Sequence, residues 1–201
     1  MEINLGTKHL AADAIVSADQ AGREHLVVVA KASWTIPSEG GRPRPLPPQP
    51  LAYADQFYDG AETAALRYGD DFARYKPQCD VIFDACAHAP GGKPVTDIEV
   101  GFNVGKLQKR LRVVGERRWS KFVGVTTPTK PSPFVSMPLH YGYAFGGTRT
   151  YQQGWGSQRH ELAEALRDNP DGRGWAGPKT AADVHDLPLS SLLPLGSDVR
   201  S

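Results

Sequence analysis

The segment YKPQCDVIFDACAHAPGG, residues 75–92, has a proline near its start, Pro-Gly-Gly at its end and an apolar run between them. A bounded run of this kind predicts a buried strand, on which successive side chains alternate between two faces. One face is wholly apolar and carries Cys79, Val81, Phe83, Ala85 and Ala87. The other face carries Asp80, Ile82, Asp84, Cys86 and His88. Four polar or reactive groups on one face indicate a site, a set of paired structural groups, or a surface that meets water or a partner.

The composition is that of one globular domain with many turns. The 201 residues include 21 Gly and 17 Pro, and they carry 23 basic and 22 acidic side chains for a formal net charge of +1. Nucleic acids and anionic membranes favour a concentrated basic face, which this balance does not provide. We therefore expect a single β-rich domain over residues 1–201, with residues 191–201 as a tail. Neither nucleic acid nor a membrane is expected as a partner.

The sequence also predicts a reducing environment. Met1–Leu10 has no apolar run of the signal-peptide type, and no segment reaches the roughly 20 apolar residues that span a bilayer. Cys79 and Cys86 lie on opposite faces of the predicted strand, roughly 23 Å apart, which is beyond the reach of a disulfide. We expect two free thiols, a cytoplasmic location, and neither a metal nor a cofactor.

Residues 13–36 predict a first hairpin. Its return strand is almost continuously apolar from Leu26 to Ala30, so it should be central in a sheet and covered on both faces. The proline-rich run over 43–50 then predicts a polyproline-like crossover on the surface, with a PxxP ligand as the alternative.

Residues 97–114 predict a second hairpin from two independent signals. Gly105-Lys106 fits a two-residue turn, because glycine readily adopts positive φ. With that turn, paired residue numbers sum to 211, so Val100 faces Leu111 and Glu99 faces Arg112. Lys109 opposite Phe102 is the one mismatch, which the lysine stem resolves by lying along the ring.

Helices are few in this sequence. Ser157–Asp168 predicts one, with Ser157 as its cap and Asn169-Pro170 as its end. Residues 51–75 read as irregular, with one helical turn at 62–68. The predicted fold class is mainly β: an antiparallel, β-sandwich-like single domain with long Gly/Pro/aromatic loops and one or two short helices.

The strongest enzyme candidate is the row Asp84, Cys86 and His88. A cysteine beside a histidine is a possible nucleophile pair, and all three residue types bind metals, but a straight row does not converge on an ion. In the alternative interpretation, Asp80 and Asp84 accept hydrogen bonds from Arg117, Arg118 or the backbone, and His88 anchors the following turn. The sequence contains no phosphate-binding loop, no Gly-x-Ser-x-Gly and no His-Glu-x-x-His.

Arg117-Arg118-Trp119 is the one basic-aromatic motif. Such a group can hold phosphate and base. Because the net charge is balanced, a tryptophan packed at a strand end with an arginine stacked on it is the preferred interpretation.

Several short motifs together resemble domain-of-unknown-function family 2169, over about residues 10–190. These signature residues are Lys76, Pro77, Asp80, His88, Pro90, Gly91, Gly115, Arg117, Trp119, Pro138, Tyr143, Gly146, Gly147, Asn169, Pro170 and Gly172. Two features depart from the pattern: Ala85 stands where the resemblance leads us to expect Gly, and Cys86 is not part of it. Members often continue beyond the Asn-Pro-x-Gly-x-Gly segment, so we expect a short form or a part of a longer protein.

The resemblance implies a non-enzymatic adaptor or chaperone in the bacterial cytoplasm. It would bind a secreted effector protein of a type VI secretion system and assist its loading onto a VgrG/PAAR-like spike protein. Strand addition to an open sheet edge, or capture of an apolar segment by aromatic loops, would provide the binding. Two alternatives remain open: a hydrolase or metal-dependent enzyme using Asp84, Cys86 and His88, and a structural subunit of the secretion particle.

Overall fold

The computed structural model describes residues 6–38, 40–60, 64–73, 78–178 and 183–195. Contacts within the chain group into two compact units. The first unit comprises Met1–Phe57 and Leu66–Val81, and the second comprises Tyr58–Ala65 and Ile82–Ser201. The expectation of a single domain stays a prediction.

The prediction of a mainly β fold is confirmed. The strands of the first unit are β1 (Ala11–Ala18), β2 (Glu24–Lys31), β3 (Ser33–Trp34), β4 (Pro45–Leu46), β5 (Gln56–Phe57) and β6 (Leu66–Tyr68). Those of the second are β7 (Ala85–His88), β8 (Asp97–Val104), β9 (Leu107–Val114), β10 (Trp119–Phe122), β11 (Val125–Pro128), β12 (Ser136–Leu139), β13 (Phe145–Gly146), β14 (Thr148–Gln153), β15 (His160–Ala165), β16 (Arg173–Gly174) and β17 (Leu192–Pro194). Single 3₁₀ turns occupy Tyr58–Gly60, Pro90–Gly92, Tyr141–Tyr143 and Gly156–Gln158.

In the first unit, β1 and β2 form the predicted hairpin, closed by Asp19. The Asp19 carboxylate accepts the backbone N–H groups of Ala21 and Arg23 across the turn. The prediction that Leu26–Ala30 is central and covered on both faces is wrong. Among the described residues this sheet has only two strands, and the side chains of Leu26 and Val28 are more than half exposed. The apolar run therefore reflects one exposed and one packed face, not burial on both.

A half-buried ion pair joins Lys31 at the end of β2 to Asp71, which follows β6. The Asp71 carboxylate accepts Lys31 Nζ at 2.8 Å, the Ala52 N–H at 2.7 Å and the Tyr68 hydroxyl. Burial opposes ionisation of both Asp71 and Lys31, but these hydrogen bonds outweigh it. The pKa of Asp71 is therefore lowered and the pKa of Lys31 is raised.

The core of the second unit surrounds the three-stranded sheet β17-β9-β8. Val113 and Val114, neighbours on β9, are both fully buried, so the C-terminal end of this strand is covered on both faces. Ala87, Met137 and Leu192 complete the buried cluster around Val113. Residues 191–195 were predicted to begin a tail, but they include β17, which pairs with β9; residues 196–201 lie outside the described part.

The predicted β8–β9 register is confirmed at every pair. Val100 lies opposite Leu111, Glu99 opposite Arg112, and Gly105 adopts φ 59°. The ion pairs form diagonally, Arg112 with Asp97 and Arg110 with Glu99. The ring of Phe83 covers that of Phe102, with centroids 3.9 Å apart.

Two sequence predictions fail because pairing partners override local pattern. The strand predicted to begin at Cys79 begins at Ala85 instead. Its partner β12 has only four residues, and these pair with Ala85–His88. Within this short strand the alternation holds, with Ala87 buried and Cys86 and His88 exposed.

The predicted helix Ser157–Asp168 is wrong. Its residues His160–Ala165 form β15, antiparallel to β14. The Tyr151 hydroxyl donates to Glu164 Oε1 at 2.7 Å across the pair, and tertiary pairing of this kind overrides weak helix propensity. Similarly, Leu66–Tyr68 of the predicted helical turn forms β6; residues 62 and 63 lie outside the described residues. No helix among the described segments is long and apolar enough to cross a membrane.

Replacing Asp71 by Asn is expected to destabilise the protein by about 2 kcal/mol at pH 7, because Lys31 keeps its charge but loses its counterion. The lowered pKa of Asp71 means that its contribution is present above pH about 4 and is lost as pH falls through the folded-state pKa. Thermal unfolding at pH 7 and pH 3 should therefore show a difference between variant and wild type that shrinks on acidification.

The matched control is Asp97→Asn, which removes the partner of Arg112 in an exposed pair and should change stability by about 0.5 kcal/mol or less. Equal melting temperatures for Asp71→Asn and wild type at pH 7 would contradict a structural role for this pair.

Candidate functional site

The second unit brings together four side chains from distant parts of the chain in an aromatic stack. The stack consists of Tyr58, His140, Tyr143 and Arg173. The rings of Tyr58 and His140 lie face to face with centroids 3.9 Å apart, and His140 meets Tyr143 edge-on at 4.9 Å. The Arg173 guanidinium lies 3.8 Å from the centre of the Tyr143 ring, a cation–π contact.

Each end of the aromatic stack meets a carboxylate. The Tyr58 hydroxyl donates to Asp84 Oδ1 at 3.2 Å. At the other end Arg173 Nη1 lies 3.7 Å from Glu116 Oε1, and Arg173 Nε donates to the Gly142 carbonyl at 2.8 Å. The arrangement is an array of paired polar groups with aromatic faces between them.

The 3₁₀ turn Tyr141–Tyr143 positions the middle of the stack. His140 precedes this turn, and its Nδ1 accepts the Gly142 N–H at 3.2 Å. That bond assigns the neutral tautomer with the proton on Nε2. A Cβ on Gly142 would lie 2.9 Å from the His140 ring, so the close approach of ring and turn requires glycine.

The signature residue Asn169 fixes the chain on the far side of this turn. Its amide Nδ2 donates to the carbonyl of Tyr141 at 3.0 Å and to that of Phe145 at 3.1 Å. A side chain at either Gly146 or Gly172 would overlap Asn169. Nearby, Gly147 donates to the Asn169 carbonyl and Pro170 accepts the Thr148 hydroxyl. These signature residues form a packed backbone junction.

The signature residues 115–119 form a second junction. Gly115 donates to the Thr96 carbonyl, and a Cβ here would overlap the carbonyl oxygen of Ser132. Arg117 is 3% exposed, and its Nη2 donates to the Ser190 carbonyl at 3.0 Å. Burial, with repulsion from Arg112, lowers the pKa of Arg117.

Arg118 and Trp119 complete that junction. Arg118 Nη1 donates to the Asp186 carbonyl and lies 3.3 Å from the Asp186 carboxylate. The interpretation in which Asp80 and Asp84 accept hydrogen bonds from Arg117, Arg118 or the backbone stays a prediction. Trp119 is half-buried at the start of β10. Together with Glu116, Arg117 and residues around 185–186, these side chains line a polar cavity of about 250 Å³.

The proposed catalytic row is divided between different environments. Asp84 precedes β7 and bonds Tyr58, whereas Cys86 and His88 lie on β7 opposite Pro138 and Ser136 and are exposed. No group of three His, Cys, Asp or Glu side chains within the described ranges could hold a metal ion. Both cysteines are free, as predicted.

The remaining predicted site residues are dispersed. Asp80 is exposed in an irregular segment of the first unit, and Lys76 and Pro77 lie outside the described residues. Pro90 begins the turn after β7, where Gly91 adopts φ 62°. Sequence reasoning identified Tyr143 but missed Tyr58, His140 and Arg173, because no spacing links residues that approach only through tertiary packing.

The chain matches the model of a known protein family. The family model described as "Uncharacterized protein conserved in bacteria (DUF2169)" matches residues 21–192, which confirms the resemblance drawn from the sequence. Neither a curated protein nor a solved structure matches the chain.

Gly115→Ala is expected to lower the free energy of unfolding by about 3 kcal/mol, because the added methyl group must displace the Ser132 backbone. Gly6→Ala is the matched control, since a Cβ there meets nothing within 4 Å. Chemical denaturation of both variants measures the contrast. Equal stability of the two variants would show that the fold does not depend on the close approach of Gly115 to the Ser132 backbone.

Proposed function

We propose, from the premise that this chain belongs to the DUF2169 family of uncharacterized bacterial proteins, that it is a non-enzymatic adaptor. It binds a secreted effector protein of a type VI secretion system and assists loading onto a spike protein. The family resemblance suggests this role, and one structural observation supports it: an open apolar face on the hairpin β1–β2.

The apolar face consists of the even-numbered side chains of β1–β2. The register places Val16 opposite Leu26, Ala14 opposite Val28 and Ala12 opposite Ala30. Val16, Leu26 and Val28 are 68%, 56% and 59% exposed. A contiguous exposed apolar patch of this kind is typical of protein interaction surfaces.

The opposite face of the same hairpin is held in place by polar ties. Asp13 accepts the Tyr53 hydroxyl at 2.7 Å, and Lys31 bonds Asp71. The hairpin is thus anchored through its odd-numbered residues, whereas Val16, Leu26 and Val28 on the even-numbered face are exposed to another protein. Two-stranded sheets are marginally stable alone in water, so a partner that covers this face also stabilises the hairpin.

The surface suits an extended apolar segment of the effector. Burying each of Val16, Leu26 and Val28 contributes roughly 1–2 kcal/mol through removal of apolar area from water. In addition, a two-stranded sheet has unpaired backbone groups along its outer edges, to which an extended segment adds as a further strand. Burial of the apolar side chains then provides affinity, and backbone hydrogen bonds at the sheet edge fix the orientation of the bound segment.

The double substitution Val16→Thr with Val28→Thr is expected to weaken effector binding at least tenfold while keeping β-branched shape on both strands. The measurement is co-expression with the products of adjacent genes, pull-down, and titration of the purified complex. Val104→Thr, the same change at an exposed residue of β8, is the control and should bind as wild type.

Two results would count against the adaptor. If the wild-type protein forms no complex with any adjacent effector or spike protein, the proposed adaptor function is contradicted. Stoichiometric recovery of the chain with assembled secretion particles would instead favour a structural subunit.

Cys86→Ser and His88→Ala distinguish the adaptor from an enzyme. Because both side chains lie exposed on β7 and away from the apolar face of β1–β2 in sequence, neither change should alter effector binding or delivery. Loss of delivery in both variants with complex formation intact would point to chemistry at β7.

A further inference from the structure

The hairpin β10–β11 ends in an unusual turn. Phe122 pairs with Val125, so the turn contains only Val123 and Gly124, with φ of 46° and 78°. Positive φ at both central residues defines the type I′ turn, which favours Asn or Asp followed by Gly. Valine is among the residues least suited to the first position, because its branched Cβ collides with the backbone in the left-handed region.

The strain at Val123 is particular to this turn. Among the described residues one other non-glycine, Asp186, has positive φ, and aspartate tolerates that conformation. The hairpin β8–β9 reverses with Gly105 at the same position of its turn, so elsewhere the chain adopts the unstrained solution. A strained residue retained at an exposed site suggests that its side chain is needed there.

The side chains at this tip are apolar and almost free of contacts. Phe122, Val123 and Val125 are 80%, 84% and 62% exposed. Phe122 and Val125 are directly paired, so they lie on one face of the hairpin with Val123 at its end. The tip is therefore a small apolar projection that water solvates poorly.

We infer that this apolar tip, residues 122–125, inserts into an apolar pocket on the protein that the adaptor binds. The inference rests on the proposed function and adds to it the contact made by the second unit. An aromatic side chain in a desolvated pocket is the usual form of an interface hot spot. Because the turn is preformed, insertion orders little additional chain.

The charge around the hairpin favours a protein over an anionic membrane. The hairpin Trp119–Pro128 itself carries one basic side chain, Lys121, and no acidic one. Arg118 is already paired with Asp186. The carboxylate of Asp183 lies within electrostatic range of Lys121. Stable binding to an anionic surface needs a cluster of several basic residues, whereas the hairpin presents Lys121 alone and has carboxylates beside Arg118 and Lys121.

The area of the tip argues against a second copy of the chain. Its three side chains expose on the order of 400 Å², about half of the roughly 800 Å² per partner in a standard interface. Two convex tips also offer each other no cavity. The tip suits an anchor inside a larger interface with a concave partner.

The experiment uses full-length protein and the immobilised, purified product of the adjacent effector gene. Val123→Asn replaces the strained residue by one that suits the turn, so the melting temperature of the free protein should rise by about 2–4 °C. The same change should weaken binding at least tenfold. Phe122→Ser should weaken binding similarly, and Lys121→Gln, on the other face of the hairpin, should leave the dissociation constant within twofold.

A stabilised variant that binds poorly separates a lost contact from a lost fold. Wild-type affinity in both Val123→Asn and Phe122→Ser would overturn the inference while the adaptor function stands, whereas no complex with wild type would overturn both. A fall in melting temperature for Val123→Asn would show that the Val123 backbone is not strained, and it would overturn the inference. Two further results would overturn the inference. Phe122-dependent binding to phosphatidylglycerol vesicles would show that the tip binds a membrane, and self-association that Val123→Asn abolishes would show that it binds a second copy of the chain.

Discussion

The burial of the C-terminal end of β9 on both faces is the constraint on which the second unit depends. Val113 and Val114 point to opposite sides of the strand, and both are excluded from water. To achieve this, β9 takes β8 on one edge and β17 on the other, while Ala87 and Met137 cover Val113. The remaining strands of this unit are short pairs that extend from this small core, so polar ties rather than a wide apolar layer fix many of them.

These polar contacts are of one kind, in which a single side chain hydrogen-bonds to groups from distant parts of its unit. Asn169 in the second unit and Asp71 in the first each bring a side-chain polar group to several backbone or side-chain partners. The buried guanidinium of Arg117 likewise donates to a backbone group, the Ser190 carbonyl. Glycines beside Asn169 and at position 115 permit the close approach. The signature residues thus describe a scaffold, and the exposed apolar groups at Val16 or Phe122 lie outside that set.

Those features of the fold that depend on neighbouring residues, such as turn type and hairpin register, could be predicted from the sequence. In the hairpin 97–114, turn type and side-chain pairing agree, and the register was correct at every pair. The segment 157–168 has helical spacing but becomes β15, because its partner β14 lies across a tight glycine-containing loop that propensity does not report. The aromatic stack could not be predicted, since Tyr58, His140 and Arg173 are distant in sequence and meet only through tertiary packing. The exposed face of β1–β2 was mistaken for a buried one, because apolar runs do not reveal how many neighbours a strand has.

The pairing of β17 with β9 has a consequence for synthesis on the ribosome. Leu192 covers Val113 but is made roughly 80 residues later, which corresponds to about 4–16 s at 5–20 residues per second. During this interval β8 and β9 can close as a local hairpin, but the second edge of β9 and part of its apolar face remain open. The nascent chain therefore passes through a period in which it exposes a sheet edge to other nascent chains and to chaperones. Because Leu192 is this distant from Val113 in sequence, the core of the second unit is completed only after residue 192 has been synthesised.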